Sequence, residues 1–275
     1  MEKKRIVLGV EYNGNPWQGW QTQPHHHTVQ DQLERALQRF CEAPIKTHCA
    51  GRTDAGVHAL EQIVHFDTVC DRPHYSWVSG VNAFLSPSIA VRWATQILDF
   101  DPEAQNGFHA RFSALSRTYH YVIFTDPVRS PLWEGRAGWV FRTLEHERMQ
   151  EAANLLLGEH DFTAFRAAGC QAKSPVKHMY AAKISKKDKL IVCSFKANAF
   201  LHHMVRNIVG SLIFIGTGRR DPNWIGELLE HRDRSQAAPT FMADGLYLAK
   251  VSYDEAWRLP QVNGEGVFGL NVDFS

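Results

Sequence analysis

The sequence predicts an α+β protein of two halves, each a mostly antiparallel sheet with helices on one face. Three observations predict it. The order strand, helix, strand, helix, strand occurs twice along the 275 residues. The two runs are separated near residues 100–110 by the polar stretch "DPEAQNGFHA". The outer strands are joined by short loops and hairpins, not by the uniform crossovers that a parallel sheet needs. The expected halves are residues 1–108 and 109–275.

Arg5–Tyr12 reads as the first strand. "TQPHHHTVQ" follows as a loop, and Thr28 can cap the next helix with Asp31 three residues on as the reciprocal acid. Val29, Leu33, Ala36, Leu37 and Phe40 recur at helical spacing, so one face of that helix is core. Gln62–Asp67 alternates as a strand does. Trp77–Leu85 reads as a helix ended by the Ser86-Pro87 break, and Ile89–Thr95 as a strand.

In the second half, Thr118–Phe124 is rich in strong β formers, with Tyr119, Tyr121 and Ile123 on one side. Leu144–Leu157 is an amphipathic helix with Met149, Ala152, Ala153, Leu156 and Leu157 inward, ended by Gly158. Leu190–Ala197 is a strand and Met204–Ile215 a largely buried helix. Asp221-Pro222 opens a short helix through Leu229, and Gly245–Ser252 is the last strand.

Composition bounds the function. Hydrophobic content of 44% and charged content of 21% are those of an ordinary soluble globular protein. The apolar runs are far too short to span a membrane, and "MEKKRIVLGVEY" lacks the apolar core of a signal peptide. The five cysteines are odd in number, widely spaced and form no C-x-x-C, which suits free thiols in the cytoplasm. The net charge of +1 hides an asymmetry: residues 162–220 hold eleven basic side chains and one acid, Asp188. That segment is either a solvated lysine-rich hairpin or a surface for a polyanion.

There is no G-x-x-x-x-G-K-[ST], no G-x-S-x-G and no H-E-x-x-H. The G-x-G-x-x-G of Gly264–Gly269 lies too near the C-terminus for a helix to follow, so it is set aside as a dinucleotide site. No second ligand group is spaced to make a metal site of His25–His27. Three polar groups remain in informative surroundings. Asp54 lies in "GRTDAGVHA", two residues after Arg52 and between glycines: either a surface turn with a local ion pair, or a carboxylate held ionised as nucleophile or base. Arg206 sits inside the apolar run "NAFLHHMVRNIVGSLIFIGTG", where an arginine must snorkel or find a partner. Tyr119 opens "TYHYVIF", where it either packs in the sheet or offers an aromatic face to a nucleobase.

"GRTDAGVHA" resembles the signature of the pseudouridine synthases, and of the bacterial tRNA pseudouridine synthase A family in particular. Five further blocks resemble that family in order: "YNGNPWQGWQTQP" with "TVQDQLERAL", "FHARFSALSRTYHYVI", "DFTAFRAAGCQAKSPVK", "NAFLHHMVRNIVGSLIFIGTG" and "APTFMADGLYLAKVSY". The resemblance runs from about residue 5 to 253. Departures from its pattern are Trp17, Ser88, the triple histidine and the tail after Pro260.

The resemblance implies a pseudouridine synthase fold of two ferredoxin-like halves around a central cleft. It implies isomerisation of uridine to pseudouridine at positions 38, 39 and 40 of the tRNA anticodon stem-loop, in the cytoplasm, by a homodimer. No cofactor and no metal are implied. Asp54 maps onto the catalytic aspartate, which attacks C1′ or C6 or removes a ribose proton; the sequence does not choose. Tyr119 maps onto the residue that stacks on the target base, Arg206 onto the arginine paired with the aspartate, and Leu246 onto an apolar residue packed below the site. Arg52 is placed to steady the flipped nucleotide. The rival readings are a non-catalytic RNA-binding module, which leaves Asp54 without work, and a carboxylate hydrolase, which needs a second acid. A third is the same isomerisation at another RNA site.

Overall fold

The computed structural model describes residues 3–97 and 107–260. In the N-terminal part the elements are β1 (Lys4–Tyr12), α1 (Val29–Cys41), β2 (His48–Cys49), β3 (His58–Thr68), α2 (His74–Asn82) and β4 (Ile89–Gln96). Then come β5 (Ala114–Thr125), β6 (Gly138–Val140), α3 (His146–Asn154), β7 (Gly158–Asp161), β8 (Val176–Lys187) and β9 (Leu190–Ala197). The last are α4 (Met204–Gly216), α5 (Trp224–His231) and β10 (Leu246–Tyr253). They form two units, residues 3–115 with 248–260 and residues 116–247.

In the first unit the strand order is β4-β1-β3-β10, with β2 on β3. β1 pairs antiparallel on both sides, Leu8 facing Val64 of β3 and Ala94 of β4. α1 starts where the sequence says it should: Thr28 is extended and its hydroxyl oxygen accepts from the Asp31 N–H. Val29, Leu33, Ala36 and Leu37 are buried, and the helix ends at Glu42 in the left-handed region. α2 packs on β4 and against α1. It starts earlier than the periodicity predicts and stops at Ala83, before Leu85. Pro73 takes the N-cap position with φ −56° and ψ 147°, and the helix begins at the next residue.

In the second unit the order is β5-β9-β8-β7, all antiparallel, with β6 parallel to β5. The turn into β10 lies on β5, where the Val122 N–H donates to Gly245 O at 2.8 Å. α3 packs on β8 and against α4 and α5. It is shorter than predicted, and Leu157 is exposed, not inward; Met149, Ala152, Ala153 and Leu156 are buried. Gly158, at φ +93°, turns the chain straight into β7. Among the described residues no helix is long and apolar enough to cross a membrane. The five cysteines are free thiols.

Candidate active site

Asp54 sits on a tight turn of the first unit. The Val57 N–H donates to Asp54 O at 3.1 Å, and Gly56, the third residue of that turn, has φ +77°. A type II turn needs a positive φ there, which glycine supplies without strain. The turn is held by the loop after β1. Trp20 N–H donates to Thr53 O at 3.0 Å, Tyr12 Oη and Thr53 Oγ1 are 2.7 Å apart, and Gly14 N–H donates to His58 Nδ1 at 3.0 Å. Gly19 presses on it so closely, at φ +84°, that a Cβ would lie 2.8 Å from Thr53 O. Gln62, fully buried in β3, bonds Gly51 through both ends of its amide. Asp54 is thus half-buried on a backbone pinned on both flanks, with Arg52 exposed two residues before it. Burial pushes the nearby Cys49 thiol up to about 12, and the guanidiniums of Arg52 and Arg111 pull the other way.

Tyr119, Arg206 and Leu246 belong to the second unit. Tyr119 faces Phe195 of β9 across the ladder, with its ring 5.0 Å from Phe200 at 77°. Arg206, in the first turn of α4, does find a partner: its Nε donates to Phe241 O at 2.7 Å, and Phe241 N–H donates back to Arg206 O at 3.3 Å. The same helix holds the same segment again through Asn207, whose amide oxygen accepts from Thr240 Oγ1 at 2.7 Å. From β5 the Tyr121 hydroxyl donates to Met242 O at 2.9 Å. Burial, then the charge of Asp244, raises that hydroxyl well above the usual tyrosine range. This clamp fixes the stretch that ends in buried Leu246, whose N–H donates to Ala243 O at 2.8 Å.

The sequence pointed to Asp54 and Arg52, which share one loop, and to Arg206 and Leu246, which share one clamp. It missed the supports. Gln62 in "LEQIVHF" was the available signal, because an amide inside an apolar strand must find partners. The strand pattern places Tyr121 on one side with Tyr119 and Ile123 and carries no sign of its bond to Met242 O. Two residues that depart from the family pattern meet: Trp17 Nε1 donates to Ser88 Oγ at 3.1 Å, and the His27 ring lies 5.2 Å from the Trp17 ring. The basic segment is partly a lysine hairpin, β8 and β9 joined at Asp188. Several of its cations have internal partners. Arg166 donates to the carbonyls of Cys170 and Ala172, and Lys189 pairs with Asp126. Lys183, Lys186 and Lys187 are exposed.

A family model described as tRNA pseudouridine synthase matches residues 9–113 and 152–254. Over 261 residues the chain is 64% identical to the tRNA pseudouridine synthase A of Janthinobacterium sp. (strain Marseille), covering 95% of this chain and 96% of the relative. It is 64% identical to that of Herminiimonas arsenicoxydans over 94% of this chain and 93% of the relative. The identity is 55% to that of Paraburkholderia phytofirmans, again over 94% and 93%. A chain in the crystal structure of a Cbf5-Nop10-Gar1 complex aligns at 11% identity and a TM-score of 0.37, covering 89% of this chain and 49% of that one. That likeness is too distant to argue from. The matched residues take in the Asp54 turn and both sides of the Arg206 clamp, and on that ground the chain belongs to the tRNA pseudouridine synthase family.

Proposed function

We propose that this protein isomerises uridine to pseudouridine in the anticodon stem-loop of tRNA, at positions 38, 39 and 40, with Asp54 as the catalytic group. The observation that carries the reading is the 64% identity to a tRNA pseudouridine synthase A across 95% of the chain. The bond from ribose C1′ to uracil N1 breaks, the uracil turns, a bond from C1′ to C5 forms, and the C5 proton leaves to solvent. Oxidation state is unchanged, so the reaction calls for no redox cofactor. A carboxylate on a pinned turn suits this chemistry, because it starts the reaction from one fixed position. Its first act is attack on C1′ or C6, or removal of a ribose proton.

In this reading Tyr119 stacks on the target base and its phenol exchanges the proton, and Arg206 supplies the positive charge the aspartate needs. Leu246 packs below the base, and Arg52 steadies the flipped nucleotide. Taking a stem uridine out of its stack costs a few kcal/mol, on the order of one lost base step. Phosphate contacts from exposed lysines of the β8–β9 hairpin offset that cost. The enzyme works in the cytoplasm as a homodimer; a light-scattering mass equal to one 31.3 kDa chain contradicts the dimer.

The test is to treat unmodified tRNA transcripts with the protein, label pseudouridine with carbodiimide and map the stops of reverse transcription. Stops at 38, 39 or 40 support the reading. Stops elsewhere assign the same chemistry to another RNA site.

A further inference from the structure

The residues before β5 build an exposed aromatic shelf on the first unit. Phe112 has 76% of its surface exposed, a large apolar ring left in water. It is not on a loose loop. Ser113 N–H donates to His109 O and His109 N–H to Ser113 Oγ, both at 2.9 Å. His109 Nδ1 accepts from the N–H groups of Arg111 and Phe112, at 3.1 and 3.3 Å, which fixes the imidazole as the neutral Nε2–H tautomer. Tyr253 donates from its hydroxyl to Ala110 O at 2.6 Å.

On this rigid turn the Phe112 ring lies 4.3 Å from the His109 ring at 31°, and the Arg111 guanidinium is 5.8 Å from the Phe112 centroid. The ring contacts continue to His48, 5.5 Å from His109. His48 opens β2, which ends at Cys49, and the chain reaches Gly51 and Arg52 two and three residues after that. Cys49, the residue after His48, lies two residues before Gly51, which Gln62 holds at the start of the Asp54 loop, and the guanidiniums of both Arg52 and Arg111 pull its thiol down against burial. A flat exposed ring beside a fixed cation is what sequence-tolerant binding of single-stranded nucleic acid requires, since every base has a π face and a phosphate. Phe112 is among the most exposed large apolar residues described, and it differs from a stray surface side chain in being held on a hydrogen-bonded turn beside a cation.

We propose that the Arg111–Phe112 turn is a stacking platform that holds an unpaired base of the substrate RNA beside the Asp54 loop. It rests on the reading of this protein as a tRNA-modifying enzyme. It adds a second base contact, to a nucleotide other than the target uridine, and so a determinant of which stem-loops are accepted. Its occupant is an RNA base, not a second copy of the chain.

The experiment compares wild type, Phe112→Ala and Phe112→Trp on an anticodon stem-loop. It measures KM and kcat for pseudouridine formation, Kd by fluorescence polarisation, and mass by light scattering. Phe112→Ala is expected to raise Kd and KM about 5- to 100-fold, with kcat and the melting temperature unchanged. Phe112→Trp restores them, because tryptophan keeps the stacking face. Stem-loops made abasic one loop position at a time identify the nucleotide: at that position wild type binds no better than Phe112→Ala. Wild-type Kd and KM in Phe112→Ala overturn the platform, as does a change in mass with RNA affinity intact, which assigns the ring to contact between chains. Binding is read without turnover. If wild type binds the RNA but forms no pseudouridine, and Phe112→Ala still weakens binding, the proposed reaction fails and the platform stands.

Discussion

At the scale of single residues, the site depends on groups that do no chemistry. Gly19 is the clearest case. Its φ of +84° and the 2.8 Å from a would-be Cβ to Thr53 O leave no room for a side chain against the Asp54 turn. Gly19→Ala is expected to cost about 1–3 kcal/mol in unfolding free energy and to lower turnover by more than the lost stability explains, because the strain falls on the turn that carries Asp54. Urea unfolding beside a single-turnover assay separates the two effects. Buried histidines set the acid limit. Burial lowers His65 to about 3 and His120 to about 4, from an ordinary value of 6.5. The unfolded chain therefore takes up their protons below pH 6.5 while the folded chain does not. Their contribution to stability is intact above pH 6.5 and falls as pH drops toward about 4, by about 1.4 kcal/mol per unit for each histidine. His120 has Ser194 Oγ 2.8 Å from its Nδ1 and no cause of its shift other than burial. His120→Gln removes its share, so a flatter stability profile between pH 6.5 and 4 is expected from urea unfolding at stepped pH; an unchanged slope contradicts the assignment. Asp54 and Arg52 were legible because a carboxylate, a guanidinium and two glycines fall within six residues. Tyr121 was not, because the carbonyl it bonds, that of Met242, lies 121 residues on.

At the scale of elements, what was legible had a local cause. α1 was placed at its first residue by Thr28, because a cap acts within its own turn. Thr28 is fully buried, and its hydroxyl also donates to Asp31 Oδ2 at 2.5 Å. Burial works to raise the Asp31 carboxyl, but bonds from Thr22, Thr28 and His26 outweigh it and hold it below the usual range. Thr28→Ala is expected to cost about 1 kcal/mol and to lower the melting temperature by roughly 2–4 °C, read by calorimetry. A Thr28→Ser variant, which keeps the hydroxyl, recovers most of the loss. β8 was missed for a reason equally physical. A bulge between Met179 and Ala181 shifts the pairing, so the buried positions run Met179, Ala182, Ile184 and the period of two is broken. β2, β6 and β7, of two to four residues, are too short to show any period.

At the scale of the whole molecule, the chain is divided by pairing partners that no local pattern announces. Residues 248–260 belong to the first unit although they follow residues 116–247 of the second. β10 alternates like any strand, and nothing in its sequence names β3 as its neighbour. Family membership, by contrast, could be read from six ordered blocks, because residues fixed by a reaction and its substrate recur where pairing partners leave no trace. In the proposed function the chain converts uridine to pseudouridine through Asp54. The most direct test uses tRNA carrying tritium at uridine C5, given to wild type and to Asp54→Asn without added cofactor. Forming the new bond at C5 must expel that tritium to water. Release by wild type and none by Asp54→Asn is the predicted result. Equal release by both proteins, or none from wild type on tRNA it binds, contradicts the account.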